Sequence, residues 1–299
     1  LIVHPRPDML RVLFTLKGSI IQRIALRCLG VTLLAALIVL VERHYPALFY
    51  PVSATPFTLL GLSLSIFMSF RNNACYDRWW EGRKAWGQMI IEVRSFVRES
   101  VAIDDAHLRA QLLRSLCGFA HALNARLRNE DELAAAQAWL PTPTPVFSHN
   151  VCDGILREVG AHCSRLAKEQ AISEFRYTVL EQRLTGLSQV QATCERIKGT
   201  PLPFPYTLLL HRTIYIFCLL LPFALAEPLG WLAPLFTTIV SYTFFGLDAI
   251  GNELEDPFGR DENDLPTDAM VRTLERDVLS ALGHTPLPPP LVPVDHVLR

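Results

Sequence analysis

The stretch from Pro56 to Trp86, PFTLLGLSLSIFMSFRNNACYDRWWEGRKAW, changes character at its middle and contains no helix breaker. Its first half is uncharged; its second half is dense in Arg, Asp, Glu and Trp. No proline follows Pro56, and Gly61, Gly82 and Gly87 are isolated. This pattern predicts one long helix that begins in a bilayer and runs out into water. Thr55 reads as its N-cap, with Pro56 at the first helical position.

Leu62, Ile66 and Phe70 recur four residues apart and share one helical face. Gly61, Ser65 and Ser69 repeat on the adjacent face, where small residues admit a second helix closely. The bulky stripe must meet lipid, a protein core or a narrow central pore. One subunit cannot enclose such a pore, but several copies about an axis would turn each residue into an apolar ring. A narrow ring of that kind gates by dewetting.

Phe70-Arg71-Asn72-Asn73, leading into Tyr76-Asp77-Arg78-Trp79-Trp80-Glu81, resembles the bestrophin family in its bacterial branch. A second match is Glu255-Asp256-Pro257-Phe258-Gly259, followed by the acidic run Asp261-Glu262-Asn263-Asp264. Both elements stand in the family's order and at about its separation; residues from about Ala102 to Val190 match in character only. The resemblance implies a homopentameric ion channel. Its hydrophobic neck falls on Leu62, Ile66 and Phe70. It also implies a second, cytosolic constriction on the long helix before the third span, where Leu180, Leu184 and Leu187 share a face and Leu180 is the candidate.

The expected architecture is an all-α membrane protein with four transmembrane helices and a cytosolic helical domain per subunit. Residues 1–101 hold a basic N-terminal segment, the first two spans and a cytosolic extension. Residues 102–200 form the cytosolic helices, 201–255 the third and fourth spans, and 256–299 an acidic loop, a last helix and a Pro-rich tail. Leu1 to Gln22 suits the cytoplasmic membrane face. The spans fall near Ile24–Val41, Pro56–Phe70, Tyr206–Ala226 and Trp231–Leu247. Arg6, Arg11, Lys17, Arg23 and Arg27 precede or open the first span, which ends without a small-residue cleavage site. Arg71, Arg78, Arg83 and Lys84 follow the second. Both clusters put the chain termini in the cytoplasm of a multi-pass bacterial inner-membrane protein. Tyr45, Phe49 and Tyr50 suit the outer return, and Glu227 to Gly230 a second outer turn. In the cytosolic part, helices are expected over Asp104–Leu123, Glu130–Leu140, Ile155–Lys168, Ile172–Ile197 and Thr267–Leu282, with Thr267 as the cap of the last.

The chain is 50% hydrophobic with a net charge of −1, which offers no basic field for nucleic acid. Its seven Cys form no C-x-x-C pair and read as buried, reduced thiols. No nucleophile–base pair, H-E-x-x-H or Gly-rich phosphate loop is present, so no enzyme is expected. The expected partners are copies of the same chain, membrane lipid and permeant ions such as chloride or sodium.

Selectivity argues both ways. The helix start at Thr55-Pro56 favours anions at the outer mouth, and Arg71 and Asn73 lie at the inner end of the neck. Asp77 continues the stripe and, as a ring, would favour cations. It could instead pair with Arg71 or with a neighbour's Arg78. Family members from eukaryotes conduct chloride and related anions, so the reading leans to chloride. The alternatives are a monovalent-cation channel of the same architecture, and a carrier or regulatory membrane protein. In those eukaryotic members the residues after Pro-Phe-Gly help bind calcium. Here the candidates are Asp261, Glu262 and Asp264, but Arg260 stands where an acid would be needed. No cofactor is expected, calcium included.

Overall fold

The computed structural model describes residues 1–2, 19–46, 53–147 and 149–298. Among them are nine α-helices and no extended strand: α1 Ile21–His44, α2 Thr55–Glu99, α3 Ala106–Leu127, α4 Glu132–Ala136, α5 Val151–Lys168, α6 Glu174–Gly199, α7 Phe204–Leu229, α8 Ala233–Glu255 and α9 Thr267–Ala281. The expectations for the basic N-terminal segment and for most of the Tyr45–Thr55 return lie outside the described residues.

The chain divides into two compact units. One comprises Pro5–Trp79 and Pro201–Glu255; the other comprises Leu1–His4, Trp80–Thr200 and Asp256–Arg299. Helix α2 passes from one to the other without interruption, as the lack of any breaker after Pro56 requires. The helix ladder starts one residue before the expected cap. The Thr58 N–H donates to the Ala54 carbonyl at 3.0 Å, and the Ser53 hydroxyl accepts from the Thr55 N–H at 3.3 Å.

The apolar unit packs α1, the first part of α2, α7 and α8 around one core. Ile24, Cys28 and Val31 of α1 meet Leu64 and Met68 of α2, Ile214 and Phe217 of α7, and Phe244 and Phe245 of α8. A Cβ on Gly61 would stand 3.2 Å from the Phe217 ring. That is the close approach the small-residue stripe predicts at its first position. Ser65 and Ser69 are exposed and donate to the carbonyls four residues back. The turn from α7 to α8 falls at Gly230, whose φ of +52° suits a residue without Cβ. Glu227 and Pro228 are still helical, so this turn is shorter than expected. Helix α8 also overruns its expected end at Leu247 by two turns. Charge ends a span when it needs water, but Asp248 finds an arginine inside the unit.

The polar unit is built from α3, α4, α5, α6, α9 and the second part of α2. Its helices start where short polar side chains can take the free N–H groups. Asp105 accepts from His107 and Leu108, Asp131 from Ala134, Asn150 from Asp153 and Ser173 from Arg176. Trp86, Met89, Val93 and Phe96 of α2 are fully buried in this unit, with Leu116, Phe119 and Leu123 of α3. Thr267 does not cap α9. It is buried, and its hydroxyl donates to Asn124 Oδ1 at 2.7 Å; Pro266 occupies the cap position. The Pro-rich tail lies on α9, where the Pro289 and Pro288 carbonyls accept from Arg272 and Arg276.

Gly186 of α6 is a contact of the polar unit that only glycine satisfies. An added Cβ would fall 2.5 Å from Cδ of Glu92, whose carboxylate is held by Arg183 and Gln88. We predict that Gly186→Ala destabilises the protein by roughly 1–3 kcal/mol through overpacking. Thermal unfolding of purified protein measures it, and an unchanged midpoint would contradict this packing.

Candidate ion-conducting surface

Helix α2 carries two opposed faces. Leu64, Met68, Arg71 and Cys75 are buried against the rest of their unit. At about 100° per residue, Leu62, Ile66, Phe70, Asn73 and Asp77 fall within about 80° of arc on the opposite side. All five are exposed, Leu62 at 61%, Ile66 at 49% and Phe70 at 61%. The stripe is therefore not part of the subunit's core. It runs unbroken from large apolar side chains to an amide and then a carboxylate.

What turns this face outward is a set of polar bonds on the other side of α2. Arg71 is fully buried. Its Nη1 donates to Asp248 Oδ1 at 3.0 Å, its Nη2 donates to Asn252 Oδ1, and Glu255 Oε2 lies 3.7 Å away. Next to it, Asn72 donates to the Leu247 carbonyl at 3.1 Å. Arg78 Nε donates to the Glu255 carbonyl at 3.1 Å, and the Tyr206 hydroxyl to the Phe67 carbonyl at 3.1 Å. His211 Nδ1 stands 3.0 Å from the second Asp248 oxygen. Gly251 makes room for the cluster, since a Cβ there would come within 2.6 Å of Asn72 Oδ1 and 3.0 Å of Arg71 Nη1.

Arg71 is thus removed from the set of residues able to face permeant ions. A guanidinium in an apolar unit is stable only when paired, and Asp248 and Glu255 pair it. The sequence pointed to this partner only indirectly: two opposite charges, Arg71 and Asp248, sit at the ends of two spans and need each other. Asp77 is not paired with Arg71, and among the described residues it makes no ion pair.

Leu180 also departs from expectation. It is 1% exposed, and Leu184 and Leu187 are buried with it, so this face of α6 is core and lines no passage. The three leucines share one face of α6, and that face packs inside the subunit. On the same helix Phe175 is 75% exposed, in the first turn after the Ser173 cap.

The acidic loop is organised by its own bonds. Asp264 is buried, and its Oδ2 accepts from the Asp261 N–H at 2.7 Å. Arg260 turns to Glu130, donating from Nε at 3.1 Å and Nη2 at 2.5 Å. Asp261 and Glu262 are exposed. Among the described residues no three His, Cys, Asp or Glu side chains converge as a metal site would require. All seven cysteines are free and buried. In the polar unit burial pushes the Cys163 and Cys194 thiols up to about 12.

An apolar helical unit joined by one continuous helix to a capped, polar helical unit defines an all-α membrane protein. Two stretches, Ile21–His44 and Phe204–Glu255, are long and apolar enough to cross a bilayer. Comparison with known proteins gives the family. The model of the bacterial and fungal bestrophin proteins matches residues 1–280. A voltage-dependent anion channel-forming protein of Mesorhizobium japonicum is 42% identical over 299 residues, 99% of this chain and 96% of the relative. A protein of the same description from Escherichia coli K12 is 36% identical over 300 residues, 99% of each chain. A crystal structure of a bacterial bestrophin homologue from Klebsiella pneumoniae superposes with a TM-score of 0.84 at 35% identity, covering 88% of this chain and 100% of that one. The chain belongs to the bacterial bestrophin family, and it is a membrane protein rather than an enzyme.

Two outcomes follow from the site. Arg71→Gln leaves Asp248 and Glu255 uncompensated and is expected to cost roughly 3–5 kcal/mol. Adding Asp248→Asn should recover part of that loss, so the double variant costs less than the sum of the singles. Strict additivity in detergent unfolding would show that the pair is not coupled.

The second outcome concerns Asp264, whose carboxyl burial pushes up from its ordinary 3.8 to about 6. It is neutral in both folded and unfolded chains below 3.8 and ionised in both above 6, so stability falls as pH rises through that window. The expected loss is on the order of 3 kcal/mol, and Asp264→Asn should remove it. An identical pH profile for wild type and variant would contradict the burial argument.

Proposed function

We propose that the protein is a bestrophin-type channel for small monovalent ions, leaning to chloride and other anions. In this reading five copies surround an axis in the bacterial inner membrane. Each contributes four spans, formed by α1, the first part of α2, α7 and α8, and both chain termini face the cytoplasm. Leu62, Ile66 and Phe70 form three stacked apolar rings that gate by dewetting. The observation that carries the reading is the exposed stripe on α2, on the side of the helix opposite the buried Arg71 cluster. The hydroxyls of Ser65 and Ser69 are satisfied within the helix, which suits them to a surface shared with lipid or another copy. The relatives described as anion channel-forming support the choice of ion.

One observation favours a second reading, cation selectivity in the same architecture. With Arg71 sealed inside the subunit, the polar groups left on the stripe are Asn73 and the carboxylate of Asp77, which has no ion-pair partner among the described residues. Five such carboxylates would concentrate cations.

Planar-bilayer recording decides between them. In a KCl gradient the reversal potential of the purified protein should lie on the chloride side, and the potassium side would install the second reading. Ile66→Ala should raise unitary conductance several-fold by widening the neck; unchanged current would remove Ile66 from the ion path. Asp77→Asn should shift the reversal potential if that carboxylate faces ions.

A further inference from the structure

Cations on the apolar unit fall into two groups. Arg71 has Asp248 and Glu255, and Arg23 has Glu253 at 3.0 Å. Arg27 of α1 and Arg212 of α7 have no carboxylate partner among the described residues, and both are exposed. They lie about 9 Å and 12 Å along their helices, counted from the same, cytoplasmic ends. An exposed guanidinium in the opening turns of a span lies within reach of lipid headgroups, which can supply its counter-anion.

Arg27 stands over one aromatic ring. The Arg27 guanidinium carbon stands 5.8 Å from the Tyr215 ring centroid. Arg212 is one turn before Tyr215 on α7, on the neighbouring arc of the outward face. The ring is fixed from behind by Phe245 at 5.2 Å and His211 at 5.4 Å between centroids. Beyond the ring the surface turns apolar: Leu37 on α1, on the arc next to Arg27, and Ile216 and Leu219 on α7 are exposed.

We propose that this groove between α1 and α7, bounded by Arg27, Tyr215 and Arg212, binds the headgroup of an anionic phospholipid. A phosphodiester accepts paired N–H donors from two guanidinium forks. The acyl chains lie along the exposed leucines, which no soluble anion would cover. An ammonium-bearing headgroup would bring a third cation beside the two arginines, so a phosphatidylglycerol-type lipid is selected over a zwitterionic one. The proposal rests on membrane residence alone and is independent of which ion the protein conducts, or whether it conducts.

The test is native mass spectrometry of the full-length protein in detergent, titrated with phosphatidylglycerol or phosphatidylcholine of the same acyl chains. Wild type should bind phosphatidylglycerol preferentially. Arg27→Gln and Arg212→Gln should each weaken it roughly fivefold, and together roughly 25-fold, with phosphatidylcholine binding unchanged. Lys at both positions should keep most of the preference. Arg43→Gln, whose guanidinium lies over Trp231 at the far end of α1, should keep all of it. Equal binding of the two lipids by wild type, or a preference that survives in the double Gln variant, overturns the site. Displacement of phosphatidylglycerol by an equal concentration of inorganic phosphate would also overturn it, as a free-anion pocket. Should the double variant fail to purify, the single variants read out the same preference.

Discussion

A buried ion pair, Arg71 with Asp248, sets the azimuth of the helix on which the functional reading turns. A charge in an apolar unit cannot rotate towards lipid or a neighbouring copy without losing its partner, and losing a buried partner is costly. Asn72 on one side and Arg78 about two turns below add bonds to α8 at the same azimuth. The consequence is geometric: whatever lies opposite Arg71 on α2 must face away from the subunit. Leu62, Ile66, Phe70, Asn73 and Asp77 lie there. Bonds that concern stability thereby decide which side chains of α2 are left exposed, and in the proposed channel those are the ones offered to ions.

The same arrangement separates two tasks that the sequence places side by side. Phe70 and Arg71 are adjacent residues, yet one is exposed and the other sealed. In the proposed channel the neck is thereby apolar and adjustable while its support is ionic and stiff. Gly251 belongs to the support, because any side chain there would occupy the space of Asn72 and Arg71.

Much of this was legible beforehand, for stated reasons. The long α2 helix followed from the absence of breakers after Pro56. The stripe followed from a spacing of four. What was not legible depended on the third dimension. Periodicity shows that Leu180, Leu184 and Leu187 share a face but not what that face meets, and it meets core. Arg71 reads as a pore residue beside Phe70 until its azimuth is drawn, 100° away, towards Asp248. The overrun of α8 to Glu255 had the same origin: Asp248 looks like the end of a span until its partner is known. Thr267 looks like a cap by type, but Asn124 claims its hydroxyl.

The central claim is that the Leu62–Ile66–Phe70 face meets the same face of other copies rather than lipid. Spin labels on Ile66→Cys and, for comparison, Leu33→Cys in reconstituted protein test it most directly, since the native cysteines are buried. The account predicts strong dipolar broadening between labels at position 66 and little access to membrane-dissolved oxygen, with the reverse at position 33. An Ile66 label that shows no broadening and as much oxygen access as the Leu33 label would contradict it.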